Sequence, residues 1–338
     1  MEQQEQKRVN SIDIFRLLCA LLVVIIHTGP FYDVNDIVGF AVVQILPRIA
    51  VPFFFCISGY YYIEKLNAGK SVCKQTFLKI LKLYIFWSCV YYIRDFILYT
   101  NTGSLNIKGI IHTFIVTFFT SGSSYHFWYF VSLLFSIAAV GVFYKLHAQK
   151  ALPFIAAFLY IVGLLGCSYY AIGTQIPFLT KIINSQSFTL IRRTFLMGFP
   201  FFCMGGMLEP MRKKIKNHVL VKILISGVLF LAEIVIVVKC HLQSNIVITI
   251  FLPVLLVFVV AYLIDHPLSN HNAVAKKCRS LANYTFYVHP LFIWTLQTTI
   301  AQHISNFALF TLTVTCCIVS WLLLSKVDNR IIKKYVVQ

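Results

Sequence analysis

The stretch "IDIFRLLCALLVVIIHTG", residues 12–29, is apolar over the length of a membrane-crossing helix, yet it carries Asp13, Arg16 and His27. Ionisable groups are costly at membrane depth, so three of them in one segment need a reason. Arg16 and His27 stand 11 residues apart. At about 100° per residue that is close to three whole turns, so they share one helix face, roughly 16 Å apart along the axis. One face of this helix presents a cation toward one membrane surface and a proton carrier toward the other.

The rest of the chain has the same character. Of its 338 residues 59% are hydrophobic and only 12% charged, with a mean hydropathy of +0.80; this is not a soluble globular composition. Apolar runs of about 20 residues recur, the length a helix needs to cross a hydrocarbon core of about 30 Å. β-barrel strands would instead alternate apolar and polar residues in shorter segments. The expected fold is all-α, a polytopic membrane bundle of about ten transmembrane helices in one domain covering 1–338. The spans are expected at 12–31, 39–62, 81–100, 126–146, 152–170, 187–208, 219–239, 245–264, 280–301 and 306–325.

The net charge of +18 is a topology signal. With the N-terminus inside, twenty basic residues fall on the inner side and three (Lys108, Lys181, Lys239) on the outer side. That is the positive-inside asymmetry, and it puts residues 1–11 and the tail 326–338 in the cytoplasm. A secondary attraction to anionic lipid fits the same charge, and nucleic acid is not an expected partner. The ten cysteines include no C-x-x-C and read as small buried hydrophobes rather than a metal or disulfide framework. Lys7 and Arg8 precede the first span as in a signal peptide, but no small-residue cleavage site follows, so the span is expected to be retained. "AGKS" (68–71) is a fragment of a phosphate-binding loop with Glu64 where the pattern needs Gly. The segment 64–82 therefore reads as a basic amphipathic linker. "LNIKGIIHTFIVTFFT" (105–120) reads as an outer interfacial or re-entrant helix.

Five spans carry His or Arg in their middle or outer parts: His27, Arg48, His126, Arg192 with Arg193, and His289. Facing lipid these would be expensive, so they are expected to face one another or a wet cavity. His289 precedes Pro290, which releases a carbonyl in the preceding turn, so a structural place at a kink is an equal reading. Arg94 and Asp95 are expected to pair or to contact water, Glu233 to be buried protonated or paired, and Asp13 to cap its helix or pair with a basic neighbour. Histidine can act as a general base near neutral pH, and arginine can hold phosphate or polarise a carbonyl. These residues alone suit a transferase with a cytoplasmic charged donor and, equally, a proton-coupled transporter.

Five segments resemble the integral-membrane acyltransferase family 3, which includes O-acetyltransferases of surface polysaccharides. They are Arg16 followed by His27, "RIAVPFFFCISGYY" (48–61), "YHFWYF" (125–130), "RRTFLMGFPFFCMGGML" (192–208) and "YTFYVHPL" (284–291). Thr194 stands where the family usually has Asn after the arginine. The resemblance implies about ten helices, catalytic His27, and Arg16 as part of an acyl-CoA donor site reached from the cytoplasm. It implies an acceptor side formed by Arg48, Ser58, His126, Trp128, Arg193 and His289, and no metal. The expected reaction moves an acetyl or other short acyl group to a hydroxyl of an extracytoplasmic envelope glycan. No acyl-carrying domain is recognised, so transfer is direct or uses a separate acyl-carrying partner. "RIAVPFFFCISGYY" and "YHFWYF" are especially similar to the membrane half of the vancomycin-resistance serine racemases. That likeness implies no racemase activity for these residues, but it raises an alternative, a membrane carrier or binding module for a small polar solute such as serine. A catalytically inert membrane partner is the third reading.

Overall fold

A computed structural model describes residues 9–101, 107–268, 272–299 and 304–337. Among them there is no strand. The main helices are α1 (Asn10–Thr28), α2 (Asp36–Asn67), α3 (Cys73–Asn101), α4 (Ile107–Phe119), α5 (Trp128–Lys145) and α6 (Leu152–Gly166). They are followed by α7 (188–215), α8 (Val219–Lys239), α9 (Phe251–Asp265), α10 (Asn272–Thr299) and α11 (Asn306–Ser325). Seven helices among the described residues are long and apolar enough to cross a membrane: α1, α2, α3, α5, α8, α11 and the run 149–166 that contains α6.

The other three expected spans fall on α7, α9 and α10. The span expected at 245–264 begins only at Phe251, because residues 245–250 are irregular. Their β-branched apolar side chains imitate a span, but their carbonyls are served by side chains instead. Ser168 Oγ donates to the Ile248 carbonyl at 2.5 Å and Tyr160 OH to that of Thr249 at 2.8 Å. Non-helical backbone in an apolar setting is tolerated where such partners exist. The linker expected over 64–82 is mostly helix, and only residues 68–72 connect α2 to α3. Lys7, Arg8 and the end of the ninth expected span at 300–301 lie outside the described residues.

The chain forms two compact units, one of Met1–Phe54, Arg212–Ile234 and Phe251–Gln338 and one of Phe55–Met211 and Val235–Ile250. In the first, α1 packs on α10, α11 and α9. α1 ends where Gly29 enters the left-handed region at φ 63°, a conformation glycine adopts at little cost. Asn10 Nδ2 bonds Asn272 Oδ1 at 2.6 Å near the start of both helices, while His27 meets His289 further along both. α1 and α10 therefore run parallel, as two spans entering from the same side must. α11 runs back along α10, with Tyr284 OH 3.0 Å from Ser320 Oγ and Trp321 Nε1 donating to Ser280 Oγ at 3.0 Å. Ser280 Oγ in turn donates to the Val337 carbonyl at 2.8 Å.

In the second unit the C-terminal part of α2 packs tightly against α7. A Cβ on Gly59 would sit 1.8 Å from the Phe202 carbonyl oxygen, and one on Gly205 would sit 2.1 Å from that of Cys56. Small residues permit this backbone approach where the hydrophobic effect cannot hold helices together. α4 lies along α3, where Tyr92 and Tyr84 donate to the Phe114 and Phe118 carbonyls, each at 2.7 Å. The Tyr92 and Phe114 rings stack at 4.2 Å. This is the helix expected over 105–120, fastened by aromatic rings to its neighbour.

Candidate functional site

The expected site residues fall into two sets, one in each unit. In the first unit His27 occupies the last turn of α1 and is half-buried. Its ring lies nearly parallel to that of His289, with centroids 5.4 Å apart and planes inclined by 22°. His289 is completely buried. Pro290 has no N–H to give to the carbonyl four residues back, Phe286, and its ring disfavours a regular turn. His289 Nδ1 lies 3.1 Å from that carbonyl and 2.9 Å from the Thr285 carbonyl. Carbonyl oxygens only accept, so Nδ1 is the nitrogen that carries hydrogen. The kink expected at His289–Pro290 and the contact with His27 are thus one arrangement.

Toward the start of the same two helices the contacts are charged. Asp13 is 4% exposed. Its Oδ2 accepts from Arg279 Nη1 at 2.5 Å, and its Oδ1 lies 3.8 Å from Arg16 Nε. α1 takes Val9 as its N-cap with no side-chain bond, so Asp13 pairs rather than caps. Coulomb attraction falls by about a third between those two separations. Arg279 makes the closer of the two described pairs with Asp13, and both guanidiniums flank its carboxylate. Arg279 was missed in the sequence because nothing in the basic start of α10 marks Arg279, among Lys276, Lys277 and Arg279, as the partner of an acid 266 residues away.

Arg48 lies in the 3-10 turn Leu46–Ile49, which packs on α1 and α9. Pro47 near the start of that turn withholds an N–H and favours the tight geometry. The Arg48 guanidinium folds back on its own helix, donating to the Gln44 carbonyl at 2.6 Å and to Gln44 Oε1 at 2.5 Å. Glu233 is 5% exposed and accepts from the Phe251 N–H at 3.0 Å, serving the first turn of α9. A carboxylate there complements both the unsatisfied N–H groups and the helix dipole.

In the second unit Ser58, Trp128 and Arg193 are half-buried neighbours. The Arg193 guanidinium carbon sits 5.4 Å over the Trp128 ring. The Phe55 ring lies between, 6.0 Å from Trp128 and 4.6 Å from Tyr129, whose hydroxyl is 3.3 Å from Ser58 Oγ. Arg193 belongs to a π-helical segment, Arg192–Gly198, whose widened turn leaves backbone carbonyls to outside donors. Ser132 Oγ bonds the Arg193 carbonyl there at 3.3 Å. Tyr129 joins this group without any signal beyond its place in "YHFWYF". His126 stands in a different setting, 3% exposed among the rings of Tyr91, Tyr125 and Phe127. Arg94 lies over the Tyr91 ring at 4.8 Å and pairs with Asp95, its Nε 2.7 Å from the carboxylate.

Comparison with known proteins adds to this geometry. A family model described as an acyltransferase domain matches residues 9–325. An amino-acid racemase of Enterococcus faecalis is 30% identical over 215 residues, which are 62% of this chain and 30% of that protein. A serine/alanine racemase of Enterococcus gallinarum is 28% identical over 292 residues, 83% of this chain and 40% of that protein. The chain therefore spans well under half the length of these relatives. No solved structure matches.

Proposed function

The chain belongs to the acyltransferase family whose model its residues 9–325 match, and from that membership we propose that it carries a short acyl group across a cell membrane to a hydroxyl acceptor. It is a multi-pass membrane protein of that family, and the finer assignment is ours. The donor is acyl-CoA, most simply acetyl-CoA, approached from the cytoplasm. The acceptor is a hydroxyl of an extracytoplasmic envelope glycan. In this reading both chain ends lie in the cytoplasm, which the asymmetry of basic residues along the sequence supports.

One observation carries this reading: α1 holds a charged cluster at one end and a stacked histidine pair at the other. The guanidiniums of Arg16 and Arg279, gathered at this end, fit the phosphates of the donor. His27 takes the proton of the attacking hydroxyl as the acceptor oxygen bonds to the acyl carbonyl carbon. The thioester C–S bond then breaks, and the thiolate leaves with that proton. Arg48 steadies the oxygen of the carbonyl as it becomes negative. Within the second unit, Ser58, Trp128 and Arg193 form a set suited to a sugar, an apolar ring face being a common platform for one. A separate acyl-carrying protein is an optional intermediary.

The racemase relatives favour a second reading, a carrier or binding module for a small polar solute such as serine. Paired assays on vesicles containing the full chain separate the two. Acyl-CoA-dependent labelling of glycan that vanishes in His27→Ala supports transfer. Labelled-serine uptake without acyl transfer overturns it.

A further inference from the structure

We infer that His289 is a positioning residue for His27, fixed in one tautomer by the Pro290 kink so that it holds the ring plane of the base. The inference rests on the acyl-transfer reading and extends it to a residue expected either to touch substrate or to fill a kink. A histidine that merely filled a kink would need its bonds to the preceding turn and nothing more. His289 has those bonds, at 2.9 and 3.1 Å from the Thr285 and Phe286 carbonyls, and also presents its flat face to His27 at 5.4 Å and 22°. An edge-on contact would have occupied one of the His27 nitrogens or turned the ring. A face contact lies against the π surface and takes neither His27 nitrogen for His289 itself. Because Nδ1 of His289 is anchored to carbonyls on its own helix, its ring cannot rotate, and the wall it offers His27 is rigid. The His27 ring is thereby restricted without giving a nitrogen to His289, which suits a positioned base.

Two substitutions divide the roles. His289→Asn keeps an N–H near the Nδ1 position and so keeps the bonds to the preceding turn, but has no ring. His289→Phe keeps a flat ring and loses the anchor. In reconstituted full-length protein, His289→Asn is expected to accumulate normally with donor KM unchanged and kcat about 10- to 100-fold lower. His289→Phe is expected to lose less than His289→Asn. Full kcat in His289→Asn would overturn the inference, since capping the kink would then be the whole role. The second measurement is imidazole ¹⁵N spectroscopy of the wild-type chain with labelled histidine, assigned by the 289 variants. It should show the Nδ1–H form at His289 and a perturbed His27 in His289→Asn. An Nε2–H form, or an indifferent His27, would also overturn it. Absence of any acyl transfer by the wild type would remove the acyl-transfer reading, while the spectra still decide whether His289 holds His27.

Discussion

The two ends of the α1–α10 pair are joined by different chemistry. At one end Asp13 bridges Arg16 and Arg279 with charges. At the other, two imidazoles meet face to face, and His289 Nδ1 is bonded to carbonyls of its own helix. Full charges are affordable where water and headgroups reach. Deeper in the bilayer the cost of an unpaired ion rises steeply, and a group that can be neutral or charged takes its place. In the function proposed above, the same two helices serve a permanently charged ligand at one end and a transient proton at the other. Parallel packing is the condition for this, because it brings the charged turns together at one end and the histidines together at the other.

Breaking the histidine end should have the largest effect. His27→Ala is expected to lower acyl transfer by about 10²- to 10⁴-fold, the usual span of a general base, with membrane accumulation unchanged. Vesicle labelling with acyl-CoA measures it, and a wild-type rate would reject the role of His27. At the charged end, Arg279→Met removes the shorter of the two described Asp13 ion pairs. The expected loss is about 1–3 kcal/mol in unfolding of the detergent-solubilised protein, moderated because Arg279 is partly exposed. Asp13→Asn in the same chain should restore stability but leave the donor KM raised, which separates the structural part of the cluster from its ligand. Trp128→Ala should raise the acceptor KM by about 3- to 10-fold, the worth of one cation–π contact, with donor KM unchanged. A raised donor KM there would blur the division of labour. Glu233→Ala should cost about 1 kcal/mol, a lost helix cap, and move neither KM; any change in donor or acceptor KM would show that the acid does more than end a helix.

Much of this was legible from residue patterns. α8 and α11 occupy the residues expected of their spans, and the ends of α1 are within three residues. Hydropathy and charge asymmetry register burial and sidedness, and both were strong here. What they do not register is backbone geometry. The π-helical segments Ala41–Ile45 and Arg192–Gly198 and the irregular residues 245–250 carry the same apolar letters as regular helix. Pairs between distant positions were likewise silent. Arg16 and His27 declared their common face by spacing alone, whereas Asp13 with Arg279 and Glu233 with Phe251 depend on which helices become neighbours. Pro290 was an exception, since a missing N–H identifies the carbonyl it abandons, and His289 was the polar side chain next to it.

The crossing of α2 and α7 at Gly59 and Gly205 has a mechanical consequence. Each glycine receives a carbonyl from the opposite helix, so the two notches are reciprocal. Sliding one helix past the other by a turn would drive a carbonyl into a side chain at both notches simultaneously. The pair is keyed, like two halved timbers. Any movement that Ser58 and Arg193 make during a working cycle is therefore made together, as a single lever rather than as two independent arms.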